Sequence, residues 1–332
     1  MKRILIIRTD RIGDVVLSTP VITAARKAYP DAYIAVMVSS QAKDIVKGNP
    51  CINEVIIYDK KGVFHALRFA NWLREKKFEL SLILHSTNRV NLIAFLAKIP
   101  KRAGYARGKM DFLLTDKLEY KKRLAEKHEA EYSLDVLRSM GIDAEASPLV
   151  VPVNKENEKH IDELGLKKDG KFIVIHPGAS HISKIWPAEK FAKAADILIE
   201  RFGAQVILIS GPQQVNIGDK VRSLMKNKPI FLCGKTSIGD LAALFKRSRL
   251  FISNDSGPVH IACAIGTPVI SIFSRNEKGL SPKRWGPLGT KTAVLHKDVG
   301  CLECLAHNCK KGFLCLNSIT VEELIEKAGQ FL

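Results

Sequence analysis

Short, uninterrupted apolar runs punctuate this chain, and they do not alternate with polar residues. They read RILIIR, YIAVMV, EVIIY and LSLILH in the first half, then KFIVIH, AQVILIS, PIFLC, RLFIS and PVISIF in the second. A strand that is apolar on both faces must be covered on both, the condition met by a parallel sheet between two layers of helices. The intervening segments FHALRFANWLREKKF, PAEKFAKAADILIERFG and SIGDLAALFKRS have the spacing of amphipathic helices, with Gly203 placed as a C-terminal stop. Strand and helix alternate throughout, which is a βαβ chain. The expected fold class is therefore α/β, with two doubly wound, Rossmann-like domains. The boundary falls in ASPLVVPVNKENEKH (Ala146 to His160), where two prolines and a polar run separate the halves. The expected domains are residues 1–153 and 154–332, with room for the last helix to pack back on the first domain.

At 332 residues and 46% hydrophobic composition, the chain has ample material for such cores. No stretch approaches the roughly 18 consecutive apolar residues of a spanning helix, and the start does not read as a signal peptide. A cytoplasmic protein with reduced thiols is the expectation. The formal net charge of +18 points to anionic partners: nucleic acid, phosphorylated metabolites or an acidic membrane surface. No basic motif interleaved with aromatics supports the first of these. Basic residues are densest from Lys98 to Lys127, which is either an ordinary solvated face or a contact surface for a phosphorylated or membrane-bound partner.

Four motifs carry candidate chemistry. In IIRTDRIGDVVLSTPVITAARKAYP, a strand passes through a turn containing Gly13 into a helix, and Asp14 falls beside the helix N-terminus. It reads either as an N-cap, whose pKa the free amides and helix dipole would lower, or as a general base. Thr19-Pro20 suggests that the helix kinks or restarts there. In FIVIHPGASHISKIWP, a buried strand delivers a loop in which Gly178 permits close approach of a ligand, Ser180 offers a hydroxyl, and Lys184 is placed to meet a phosphate. A solvated lysine is the plainer reading. In RLFISNDSGPVHIACAIG, Asp255, Ser256 and Gly257 open a short helix, with Pro258 in its first turn. Orphan amides there make a natural diphosphate site. Asp255 then needs a donor of its own, such as a sugar hydroxyl, unless it is simply a cap. His260 faces either the ligand or a neighbouring helix.

The fourth motif is CLECLAHNCKKGFLC, in which Cys301, Cys304, Cys309 and Cys315 match tetrahedral zinc in number but are compressed in spacing. Structural metal, reduced packing thiols, and disulfides or redox chemistry all stay open. Cys51, Cys233 and Cys263 read as small core residues. Three patterns are absent: G-x-G-x-x-G after a strand, a Walker A loop, and a pair of aspartates separated by one residue. The last absence points to protein groups rather than a metal neutralising a diphosphate leaving group.

These motifs, together with GPQQ and the SITVEELIEKA that follows the cysteines, resemble glycosyltransferase family nine, the ADP-heptose:lipopolysaccharide heptosyltransferases, over nearly the whole chain and in the right order. The resemblance implies a B-type fold, with an acceptor domain and a sugar-nucleotide domain facing across a cleft. It implies an inverting, metal-independent transfer with no cofactor, in which Asp14 is the base and Lys184 stabilises the diphosphate. Gly13, Gly178, Ser180, Asp255, Ser256, Gly257 and His260 would line the substrate sites. Gln214 stands where the family commonly has a Glu that grips the ribose, so an amide replaces a charge-assisted hydrogen bond. The implied partners are an ADP-sugar and a phosphorylated lipopolysaccharide acceptor at the cytoplasmic face of an anionic inner membrane, without nucleic acid. Competing readings are a different sugar donor or surface-glycan acceptor, a sugar-nucleotide epimerase or hydrolase, and, remotely, a nucleic-acid binder.

Overall fold

A computed structural model describes residues 1–166, 170–301, 303–304 and 306–332. The chain divides into two compact units, Met1–Pro152 and Val153–Leu332. In the first, β1 (Arg3–Ile7), β2 (Tyr33–Val38), β3 (Glu54–Ile57), β4 (Leu80–Ile83), β5 (Lys101–Ala106) and β6 (Asp116–Glu119) form one parallel sheet in the order β3-β2-β1-β4-β5-β6. The second unit contains β7 (Phe172–His176), β8 (Gln205–Leu208), β9 (Ile230–Phe231), β10 (Ser248–Asn254), β11 (Val269–Phe273) and β12 (Thr292–His296). Read from β9, its order is β9-β8-β7-β10-β11-β12, the same doubly wound topology, again all parallel.

The uninterrupted runs occupy the sheet centres because only there are both faces covered. Every residue of β7 and β11 is buried, as are Ile4 to Ile7 of β1. In the first unit Ala66, Ala70 and Leu73 of the helix Val63–Glu75, with Val90, Ile93 and Ala94 of the helix Asn88–Leu96, cover one face of the sheet. In the second, Trp186 and Phe191 pack edge to face, 5.0 Å between centroids, at the start of the helix Ala188–Phe202. The last helix, Val321–Gly329, packs on Ala188–Phe202 with its own Leu324 and Ala328 buried.

Three strands have no counterpart in the apolar runs: β5, β6 and β12. β6 and β12 are edge strands, half exposed, and β5 is interrupted by Gly104 and begins with two basic residues. The basic stretch Lys98 to Lys127 thus contains β5 and β6, and it is not one solvated face. Lys122 is buried and ion-paired with Glu129 at 2.8 Å, while Arg102 donates to the carbonyl oxygens of Leu113 and Pro100.

The cysteine expectations are also corrected in part. Cys233 lies in the core, whereas Cys51 and Cys263 are only half-buried. All four cysteines of the array are free and half-buried, and together they line a cavity of about 420 Å³ with Lys297 and Arg275. Burial, and then the proximity of the other three, pushes the Cys315 thiol up. Among the described residues no set of three or more His, Cys, Asp or Glu side chains is arranged to hold a metal ion. No helix among the described residues is long and apolar enough to cross a membrane.

Candidate active site

In each unit the strand order reverses direction beside its first strand, between β1 and β4 and between β7 and β10. Ligands of doubly wound sheets bind at that point, beyond the carboxyl ends of the strands. The predicted residues cluster there in both units. Gly13 and Asp14 follow β1, Lys184 follows β7, and Asp255 follows β10.

Asp14 sits in the third residue of the five-residue helix Ile12–Val16, with Arg11 at the N-cap and no side-chain cap. The N-cap reading therefore fails. So does the lowered pKa: burial, then the charge on Asp10, pushes the Asp14 carboxyl up to about 6, and Arg8 opposes this only in part. A helix of barely more than one turn has little dipole to offer against desolvation. Arg8, buried at the end of β1, donates from Nη2 to Asp14 at 2.7 Å and from Nε to Asp10 at 2.8 Å. It also donates to Glu129 at 3.3 Å and to the Leu84 carbonyl oxygen at 3.3 Å. Although burial disfavours its charge, the three carboxylates hold Arg8 protonated, well above its ordinary range. One guanidinium shared among three carboxylates cannot fully offset the desolvation of any single one, which is why Asp14 stays high. The neighbouring His85, just beyond β4, is pushed down to about 4 by burial and then by the charges of Arg8 and Lys60, so it is neutral at physiological pH. Gly13 is buried in the same helix, and Thr19 and Pro20 open a separate one, Thr19–Ala28.

In the second unit the loop after β7 and the loop after β10 are tied together by Asn254, a fully buried side chain absent from the sequence candidates. Its Nδ2 donates to the Pro177 carbonyl oxygen at 2.7 Å, and its Oδ1 accepts from the Trp186 amide at 3.0 Å. This clamp holds Lys184 and Asp255 against each other as an ion pair. The donor that Asp255 needs is thus Lys184. A diphosphate entering here competes with Asp255 for the ammonium. Beside the pair, Ser256 is the N-cap of the helix Gly257–Ile265 with an extended backbone and no side-chain cap, Pro258 has no N–H, and the Val259 amide donates to the Ser256 carbonyl oxygen at 3.2 Å. The Ser256 hydroxyl shares a 2.8 Å hydrogen bond with Ser253, which is also 3.2 Å from His176 Nδ1. Pro258 lies in the first turn, and Gly266 ends the helix in the left-handed region at φ 83°. His260 is buried and Ser180 exposed. Gln214 donates from Nε2 to the Ala179 carbonyl oxygen. A Cβ at Gly178 would lie 2.4 Å from Gln214 Oε1, so a side chain there would displace the end of this amide.

Sequence reading missed Arg8, His85, Glu129, Asn254 and His176. His85 and His176 were accessible in principle, since each ends or follows a buried strand. Glu129 is 121 positions from Arg8, and nothing local marks it.

The model of glycosyltransferase family 9 (heptosyltransferase) matches residues 66–314. The chain belongs to this family. Lipopolysaccharide heptosyltransferase 3 of Escherichia coli (strain K12) is 30% identical to it over 281 residues, 80% of each chain. Among solved structures, the family 9 glycosyltransferase from Veillonella parvula matches this family 9 chain with a TM-score of 0.90 at 28% identity, over 99% of this chain and 97% of that one. The E. coli ADP-heptose lipopolysaccharide heptosyltransferase II matches with a TM-score of 0.84 at 22% identity, over 100% and 98% of the two chains, which supports the fold. The family 9 chain is accordingly a glycosyltransferase.

Proposed function

We propose that this family 9 enzyme transfers a heptose from ADP-heptose to the inner core of a lipopolysaccharide acceptor, with inversion and without a metal ion, at the cytoplasmic face of the inner membrane. The names of its relatives support the sugar and the acceptor class. The observation that carries the chemistry is the loop pair of the second unit. Lys184, clamped by Asn254 next to the uncapped N-terminus of Gly257–Ile265, gathers positive potential without a metal. In a single displacement the acceptor oxygen forms its bond to the anomeric carbon as the bond to the diphosphate oxygen breaks. The acceptor proton passes to Asp14, and the departing ADP carries the negative charge that Lys184 and the helix amides offset. Asp14, raised to about 6, is ionised at neutral pH yet basic enough to take that proton. In this reading Asp255 and Gln214 take the sugar and ribose hydroxyls, Gly178, Ser180, Ser256, Gly257 and His260 contribute to the donor pocket, and Gly13 belongs to the turn that presents Asp14.

The first test is thermal stabilisation by ADP, UDP and GDP at equal concentration, because a ligand that binds only the folded state stabilises it by mass action. A shift with ADP alone is expected. A shift with UDP or GDP instead removes ADP-heptose as donor and makes Gln214, at the usual Glu position, the residue to test. Turnover with ADP-heptose then follows, and Asp14→Asn should abolish it while leaving ADP stabilisation intact.

A further inference from the structure

The helix Val63–Glu75 is inverted relative to an ordinary surface helix. Its inward face consists of Ala66, Ala70 and Leu73, while its outward face carries Phe64 at 82% exposure, Leu67 at 45% and Trp72 at 41%, preceded by Val63 at 66%. Phe64, Leu67, Arg68 and Asn71 recur at three- and four-residue spacing and so form one stripe on the exposed side. Small residues inward let the helix lie close on the sheet; large aromatic residues outward have no role in that packing. The neighbouring helix Asn88–Leu96, which packs against it, exposes Phe95 and Leu96, and the turn Asp111–Leu113 beyond that exposes Phe112 at 70%. Three adjoining elements of one unit therefore present large apolar side chains to solvent.

The charge around these side chains is mostly positive, with Glu75 and Asp111 the acids on the three elements. Lys60, Lys61, Arg68, Arg74 and Lys77 are all exposed along or beside the helix, Lys98 and Lys109 are exposed beside the other two elements, and the helix Val63–Glu75 contains a single acid, Glu75. Aromatic and aliphatic side chains rimmed by lysine and arginine match the boundary between acyl chains and anionic headgroups, where rings sit at the interface and basic side chains reach the phosphates. A second copy of the chain fits less well, because a two-fold contact would set the same cations against one another.

We infer that the face formed by Val63–Glu75, Asn88–Leu96 and Asp111–Leu113 docks the enzyme on an anionic lipid bilayer, with Phe64 and Leu67 inserted at the interface and Arg68 on the headgroups. This moves the centre of the membrane contact to Val63–Glu75 and keeps only Lys98, Lys109 and the turn Asp111–Leu113 of the Lys98 to Lys127 run, other parts of which are engaged internally; it rests on the proposed function and deepens it by giving a surface for meeting a membrane-anchored acceptor.

The test is co-sedimentation of the full chain with phosphatidylcholine vesicles, with and without phosphatidylglycerol, at low and high salt. Wild-type protein should bind the anionic vesicles and lose most of that binding at high salt. Phe64→Ser with Leu67→Ser should lower the partition coefficient about tenfold, and Arg68→Glu should lower it several-fold, each with unchanged circular dichroism and Tm. Lys121→Glu, in the Lys98 to Lys127 run, should have a smaller effect. Equal binding of wild type and the double variant overturns the inference, as does equal binding to neutral and anionic vesicles. So does a wild-type dimer in sedimentation velocity that the double variant dissolves, which would assign the face to self-association. The vesicles contain no acceptor or donor, so failure of the heptosyltransferase reading appears separately, as absent ADP-heptose turnover with vesicle binding intact.

Discussion

Asp10→Asn isolates the charge that most clearly controls the candidate base. Asp10 and Asp14 each accept from Arg8, at 2.8 and 2.7 Å, and Asp10's charge is the largest electrostatic push on Asp14 after burial itself. Two carboxylates bound to one guanidinium lie about 6 Å apart. At an effective dielectric constant of about 40, suited to a site partly open to water, their repulsion is about 1.4 kcal/mol, or about tenfold in the Asp14 acid dissociation constant. The amide oxygen of Asn can still accept from Arg8 Nε, so the clamp is retained while the charge is lost. With Asp14 at about 6, a base that must be ionised gives a kcat/KM that falls tenfold per pH unit below 6. At pH 5 it is about one-tenth of the plateau. In Asp10→Asn the acid limb should move to about pH 5, making relative activity at pH 5 about fivefold that of wild type with the plateau nearly unchanged. The assay is the pH dependence of kcat/KM for ADP release from 4.5 to 8.5, in a buffer series of constant ionic strength. Coincident acid limbs in the two proteins would refute the reasoning. A wild-type limb near pH 4 would also refute it, because an unperturbed carboxylate would then be titrating.

Three further outcomes follow from the second unit. Lys184→Ala should weaken ADP binding and lower kcat together, as read by calorimetry and steady-state kinetics, because the proposed function has its ammonium serve ground state and leaving group alike. Gly178→Ala places a Cβ 2.4 Å from Gln214 Oε1 and should raise KM for the donor several-fold. Adding Gln214→Ala should recover part of that loss if the collision is the cause. Asp240, in a reciprocal capping box with Ser237 and a 2.9 Å acceptor for Asn157, should cost about 2 kcal/mol when changed to Ala, measured by urea unfolding. Burial pushes its carboxyl up, but Asn157, Ser237 and His160 together hold it below the usual range. Its contribution is therefore present above about pH 4 and lost as pH falls further, through the depressed native value.

The fold was legible because strand continuity is a local signal with one global solution. IVIH and LFIS cannot be half-exposed strands without putting isoleucine and phenylalanine in water, so a sheet covered on both faces follows. That logic weakens at an edge, where one side of the strand meets solvent and apolar pressure relaxes. DKLE and TAVLH form β6 and β12 by pairing with a neighbour rather than by their own hydrophobicity. The exposed face of Val63–Glu75 was hidden for the opposite reason. Its spacing correctly gave a helix, but periodicity alone does not tell which side of the stripe faces the sheet.

At the candidate site, the sequence placed the residues at strand ends but did not give their energetics. Asp14 at a strand-to-helix turn suggested a carboxylate stabilised by helix amides, with a lowered pKa. The outcome has the opposite sign because two non-local facts outweigh the local one. The Asp14 carboxyl is desolvated by burial, and Arg8, the only cation among the groups that shift it, is divided among three acids, one of them the distant Glu129. A carboxylate with a private arginine would have remained a weak base. Sharing Arg8 leaves Asp14 fixed by a strong hydrogen bond yet under-compensated in charge, so orientation and basicity are set separately. The same division appears at Lys184, whose place Asn254 fixes through the backbone while Asp255 sets its charge balance. At Asp14 the guanidinium and the competing Asp10 are local and only Glu129 is distant, whereas at Lys184 the holding Asn254 and the acid Asp255 both come from the end of another strand, Asp255 lying 71 positions away. That pairing cannot be read from either motif alone, because it exists only where the sheet brings two strand ends together.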